Sequence, residues 1–364
     1  MKTRTISLMS IGLLAAATTQ AAIKYTIVEL PLLPGGTFSI GAGLNNKGQV
    51  AGTGDDSLGN GNAILWDNGV ATQIFATDPY DPSPSNSVAI NSAGVVIGDL
   101  NVDGFGGAWA VGPNISTELV SDLFPIVGGI NDSNYILGEL RGHPVVWPGD
   151  IDFKTGAGLP TTPGNYGAST NLNGINAAGV VVGAEYDLDA AGNYYAVALR
   201  WTPANTSDFY DKYSGSTIKV LGGLGGRENS ASAINNNGTI VGWARLGNGW
   251  EHAVLWGPKT SAYDLGTLGG KRSAANAINS LNDIAGEAQT SSGAWHAVLW
   301  THNHLHAIDL NLEIDPTWQK RVTLTGAVAT NDRCMVLANG TDNRTGNQAT
   351  FVLSLADQSL CNNP

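Results

Sequence analysis

The chain has 364 residues, 48 of them glycine, with only 13% charged residues and a formal net charge of −12 at pH 7. A surface this acidic repels phosphate backbones, which argues against nucleic acid as a partner. Abundant glycine with little charge fits many short strands joined by tight turns, and no stretch reads as a coiled coil or a disordered tail.

The first element is an address. Lys2 and Arg4 make a basic start, residues 6–17 are mostly apolar, and small residues follow through Ala22. Residues 1–22 therefore read as a secretory signal peptide, cut after Ala21 or Ala22. Its apolar core is too short to span a bilayer, and no later segment is long enough. The mature chain is expected to be soluble and monomeric, secreted or periplasmic, with no membrane span. Losing Lys2 and Arg4 leaves it 16 Lys+Arg against 30 Asp+Glu, a net charge of −14.

Residues 25–30, Tyr-Thr-Ile-Val-Glu-Leu, follow as a lone strand before Gly35-Gly36. One pattern then recurs, clearest at 43–52 and 89–98, and it is centred on an asparagine. Its copies stand at Asn45, Asn91, Asn131, Asn176, Asn235 and Asn279, with a degraded one at Asn331. The mean spacing is about 48 residues, the size of a four-stranded propeller blade. The asparagine opens a tight turn, where its side chain can bond backbone two residues on. Three residues later stands a position that needs a left-handed backbone, filled by Gly48, Gly94, Gly179, Gly238, Asn134 or Asn282. Two residues before the asparagine only Gly or Ala occurs, as a crowded innermost strand near an axis requires.

A third strand follows in each copy, clearest as His252-Ala253-Val254-Leu255-Trp256 and His296-Ala297-Val298-Leu299-Trp300. A fourth ends in a glycine turn, as in 219–226 and 263–270. The seventh copy stops after three strands near Leu355, so the lone strand at 25–30 completes it. That split closes a ring and removes exposed edges. The expected fold is an all-β, seven-bladed β-propeller over residues 23–356, closed by the N-terminal strand joining the last blade. In an oxidising compartment Cys334 and Cys361 are expected to pair, holding the tail 357–364 on the face of the first turn. Closing that loop is worth roughly 3 kcal/mol.

The Leu-Gly-Gly, Ala-Ile-Asn, Val-Gly and His-Ala-x-Leu-Trp elements stand in order from Leu221 to Trp300. In these residues the chain resembles the HAF-repeat family of extracellular proteins, over nearly all of its mature length. It departs from the family's His-Ala-Phe triplet, with Val254 and Val298 where Phe is usual. The resemblance implies the repeat fold and export; it names neither a ligand nor catalytic residues.

Several residues carry candidate chemistry. Five of the 16 mature basic residues, Arg227, Lys271, Arg272, Lys320 and Arg321, fall in three successive loops, with Trp250 and Trp295 in loops on the same face. Aromatic planes beside cations suit an acidic sugar, through stacking and paired hydrogen bonds to carboxylate; the plain alternative is scattered surface charge. His302, His304 and His306 alternate on a hairpin and could share a transition metal, though no nearby carboxylate or thiol completes a site, and a solvated turn is the simpler reading. Residues 187–193 begin like a calcium loop but lack its later ligands. His143, His252 and His296 share one repeat position, which points to structure, and Trp66, Trp147, Trp201, Trp256 and Trp300 read as packing between blades. No cofactor is implied.

Three functions remain open. A non-enzymatic binding propeller for an extracellular glycan or surface protein fits export, repeats and the lack of a nucleophile elbow, phosphate loop, zinc-protease helix or repeated Asp box. An extracellular polysaccharide lyase or hydrolase would gather acids and bases such as Asp78, Tyr80, Asp81 or Glu228 at the mouth. A structural envelope or matrix protein would present flat faces.

Overall fold

The computed structural model describes residues 25–75, 85–102, 105–113, 115–120, 126–140, 143–148, 157–160, 170–189, 191–257, 260–302 and 304–361. The signal segment lies outside the described residues, as do Asp78, Tyr80 and Asp81. Seven four-stranded antiparallel sheets form the blades of a β-propeller. The innermost strands, in blade order, are Ser39–Leu44, Ser85–Ile90, Ile126–Ile130, Thr170–Ile175, Gly225–Ile234, Gly269–Ile278 and Val322–Thr330. Blade 7 takes its outer strand from the other end of the chain. Tyr25–Glu29 pairs antiparallel with Gln348–Leu355, Ile27 opposite Leu353.

Each inner strand carries a β-bulge at one repeat position, between Gly41 and Gly43 in blade 1 and between Ala275 and Ala277 in blade 6. In blades 1 to 6 a carbonyl of the inner strand presses against the second strand and explains the glycine that stands there. A Cβ on Gly52 would lie 2.3 Å from the Ile40 carbonyl oxygen, and one on Gly98 2.0 Å from that of Asn86. No side chain fits there. The small residue before each asparagine has a different cause: a Cβ on Gly174 would already stand 3.1 Å from Cα of Ala233, on the next blade's inner strand.

Two sets of side chains bolt adjacent blades together. Trp66, Trp147, Trp201, Trp256 and Trp300 are fully buried, as the packing reading expects. The indole N–H groups of Trp66, Trp201, Trp256 and Trp300 donate to the carbonyls of Pro31, Pro160, Gly222 and Leu265 at 2.7–2.9 Å. Each acceptor belongs to the chain arriving from the preceding blade, so one side chain fills the seam and pins the connection.

The second set is the residue after this second-strand glycine, or after Ala338 in blade 7. Asn339 exchanges two hydrogen bonds with Gly41, and the Asp99 carboxylate accepts from the N–H of Val127 at 2.9 Å. Burial raises the Asp99 carboxyl to about 6, and it also raises Glu139 and Glu287 at the equivalent positions. A folded value above the unfolded one means that the ionised form is penalised. Stability is therefore reduced above pH 6 and recovers as pH falls from about 6 to about 4. Asp99→Asn keeps the acceptor without the charge. It is expected to raise the unfolding free energy by about 1–3 kcal/mol at pH 8 and to change it little below pH 4. Urea midpoints at both pH values check this, and an equal change at both would exclude burial of charge as the cause.

The cysteines pair as expected: Cys334–Cys361 is a disulfide with its Cα atoms 5.6 Å apart. Among the described residues no helix is long and apolar enough to cross a membrane.

Candidate functional site

The two mouths of the propeller differ. On the face of the first turns, the seven repeat asparagines, each 3–5% exposed, surround the axis. The side-chain oxygen of each accepts from the N–H groups two and four residues on, as Asn235 does from Asn237 and Thr239 at 3.0 Å. The turn logic of the sequence expects the first of these bonds. The carboxamide nitrogen does something the sequence does not announce: it donates to the carbonyl of the next asparagine around the axis. Asn45 bonds Asn91, Asn91 bonds Asn131, and so on to Asn279, which bonds Asn331. Asn331 then donates to Asn45 and completes a closed circle of seven bonds of 2.9–3.2 Å.

The turn position three residues after each asparagine has positive φ in every blade, from 54° to 93°. In blade 7 it is held by Cys334 at φ 54°, where the other blades use Gly or Asn. Inside the circle lies a cavity of about 200 Å³, open to this face.

The opposite mouth holds the basic and aromatic residues. At three successive blade junctions a cation stacks on an aromatic ring. The Arg227 guanidinium lies 3.9 Å from the centre of Tyr195, Lys271 Nζ lies 5.2 Å from Trp250, and Arg321 lies 4.4 Å from Trp318. Tyr195 and Trp250 sit at the start of the third strands of blades 4 and 5, beside the entry to the inner strand of the next blade. Trp318 belongs to the short helix Pro316–Arg321 that leads into blade 7.

The five cations are not equivalent. Arg227 is held by Asp189 at 3.3 Å. Arg321 is held by Glu29 and, at 3.7 Å, by Asp342, whose own carboxyl is kept far below the usual range chiefly by its hydrogen bond to Arg344. Lys271, Arg272 and Lys320 are exposed, and no carboxylate among the described residues pairs with them. Trp250 is 40% exposed, whereas Trp295 is half-buried and its junction's cation, Arg321, stacks on Trp318 instead. The structure thus places Lys271 with Trp250, leaves Trp295 without a described cation partner, and adds Tyr195 and Trp318. The repeat register, applied to residues just before each third strand, would have flagged Tyr195.

The remaining candidates resolve into structure. His252 Nδ1 meets Asp264 at 2.9 Å and His296 Nδ1 meets Asp309 at 2.7 Å, each bracing a blade's third strand against its fourth. His302, His304 and His306 do not share one strand. His302 sits in the turn with Nδ1 3.0 Å from Asp283, His304 begins the outer strand His304–Asp309, and His306 is exposed. The described residues hold no group of three or more His, Cys, Asp or Glu placed to bind a metal ion. Asp189 closes its own turn, accepting from Ala191 and Asn193 at 2.8 Å, and Asp187 accepts from the Tyr195 hydroxyl at 2.7 Å. Both oxygen sets of the calcium-like segment are thereby engaged. Glu228 is paired with Arg245 at 3.1 Å.

No protein-family model matches the chain, and no curated protein does. Among solved structures it is similar to the β-propeller domain of the Trilobed protease from Pyrococcus furiosus, described there as having an open velcro topology. The TM-score is 0.54 at 10% identity, covering 90% of this chain and 100% of that one. A second similar structure is the six-bladed fucose-recognising lectin of Aleuria aurantia, with a TM-score of 0.35 at 13% identity, covering 77% of this chain and 93% of that one. The likeness to the protease propeller, at this level of identity, speaks to fold alone. The chain is a β-propeller.

Proposed function

We propose that this protein is an exported, non-enzymatic binding propeller of the HAF-repeat type that holds an acidic extracellular glycan on the mouth opposite the asparagine circle. The signal segment and the repeat motifs support export. The observation that carries the binding reading is the arc of cation–aromatic pairs at three consecutive junctions, with Lys271 against Trp250, Arg272 exposed next to it in the chain, and neither with a described counter-ion. Stacking planes one blade apart suit successive sugar rings, and exposed cations in an acidic protein suit their carboxylates. Arg227 and Arg321, already paired, hold the aromatic planes in position.

Polygalacturonate, alginate and neutral dextran, titrated into the purified chain 23–364, test this. Binding is expected for the two polyuronates, weakening as ionic strength rises, because exposed charges are screened. The double variant Trp250→Ala, Arg272→Ala is expected to weaken it at least tenfold, about 1.4 kcal/mol. Equal binding by the variant, equal binding of dextran, or no polyuronate binding would each overturn the proposal.

A further inference from the structure

The axial cavity on the asparagine face has features that the circle of bonds does not need. Its wall is formed by the residue preceding each asparagine: isoleucine in blades 2 to 6, Leu44 in blade 1 and Thr330 in blade 7. Its rim is formed largely by the residue following each asparagine, and here the seven blades divide. Four rim N–H groups find an acceptor on the next blade's rim side chain. Ser92 donates to Asp132, Ala177 to Asn236, Ser280 to Asp332 and Asp332 to Asn46, at 2.8–2.9 Å. The N–H groups of Asn46, Asp132 and Asn236 are followed on the next blade by Ser92, Ala177 and Ser280, which bear no carbonyl or carboxylate side chain. Among the described residues these three N–H groups donate to no protein acceptor.

Three unfilled donors therefore stand at alternate blades around a dish whose exposed lining is mostly polar. Beside them lie the carboxylates of Asp132, which accepts from the N–H and hydroxyl of Ser92, and Asp332, which accepts from Ser280 and Asn46, each oxygen keeping a lone pair for a further donor. A group that accepts from an N–H while donating to a neighbouring carboxylate is a hydroxyl. An anion would meet two carboxylates, and a simple cation would leave the donors unused. Several hydroxyls on a compact body describe a sugar ring, and about 200 Å³ holds one such ring rather than a chain. We propose that the axial dish is a binding site for a single neutral hexose, separate from the polyuronate surface on the opposite mouth and independent of it.

Saturation-transfer NMR with D-glucose, D-galactose and D-mannose, each on the order of 10 mM to suit the weak affinity of a shallow site, provides the test, with D-glucuronate as the anionic comparison. At least one neutral hexose is expected to receive saturation from the protein, and glucuronate is expected to receive less. Ser280 and Ser92 line the dish and are substituted in turn, Ser280→Trp and Ser92→Trp, to fill it. Ser280 has no described side-chain bond to lose, and thermal melting verifies that each variant is folded. The hexose affinity is expected to fall at least tenfold in both, while Trp250→Ala with Arg272→Ala leaves it unchanged. The proposal is overturned by silence from all three hexoses, by an unchanged signal in both folded tryptophan variants, or by glucuronate binding as well as the hexose. Loss of the signal in the Trp250, Arg272 variant alone would move hexose binding to the other face and likewise overturn it.

Discussion

Replacing Asn235 by aspartate is expected to lower the unfolding free energy by about 3–5 kcal/mol at pH 7, and by about half as much at pH 4. The carboxamide of Asn235 makes four hydrogen bonds while only 5% exposed. Its oxygen accepts from Asn237 and Thr239, and its nitrogen donates to the carbonyl of Asn279 at 3.0 Å and to Asn282 Oδ1 at 2.8 Å. Asn235→Asp preserves the accepting oxygen and turns the donor into a second acceptor that faces two oxygens. Ionising the introduced carboxyl there is unfavourable, so its folded pKa lies above the unfolded value of about 3.9. The penalty is complete above the folded value. It is relieved as pH falls toward the unfolded one, where a protonated carboxyl again donates to Asn279. Urea denaturation at both pH values measures the difference. A loss below 1 kcal/mol at pH 7, or the same loss at both, would show that the circle of asparagines is incidental to stability.

Trp66→Ala is expected to cost about 3–5 kcal/mol and, unlike the same change at Trp256, to loosen the ends of the chain. Trp66 packs in one buried cluster with Leu30, Leu33, Val50, Leu337 and Val352, and its indole donates to Pro31 at 2.7 Å. The seam it fills lies between blade 7 and blade 1, where Tyr25–Glu29 is attached to Gln348–Leu355 by strand pairing rather than by a turn. Removing the ring leaves a cavity and frees the Pro31 carbonyl at the point where the leading strand enters the ring. Amide exchange should therefore quicken along residues 25–29 and 348–355, since local opening follows loss of buried contacts. Trp256 bonds Gly222 within a connection that is continuous chain on both sides. Its loss should destabilise comparably while leaving exchange at 25–29 as in the parent protein. Equal acceleration at 25–29 in both variants would mean that Trp66 has no special part in closure.

The architecture was legible because a repeat exposes its own constraints. The left-handed turn position showed as Gly or Asn in six blades, and the small residue before each asparagine showed as Gly or Ala. Blade 7 hid its turn behind Cys334, whose positive φ no local preference announces. The histidines were legible as a repeated position, but that Asp264 and Asp309 are the partners of His252 and His296 came only with the structure. The basic loops were legible as a grouping on one face. Which of their cations are already neutralised was not, since Asp189 and Glu29 reach Arg227 and Arg321 from 38 and 292 residues away.

The sequence by itself determined the number of blades and the split last blade, and it made pairing the expected state of the two cysteines against the alternative of free thiols. Each of these rests on spacing along the chain, and spacing is what a sequence records. Only the tertiary structure decided that the seven asparagines bond one another in a circle and that three rim donors are left unfilled. Those facts depend on which residue of the next blade stands opposite each turn, at separations from 40 to 286 residues. Curvature around the axis brings such residues together, and no local preference encodes that curvature.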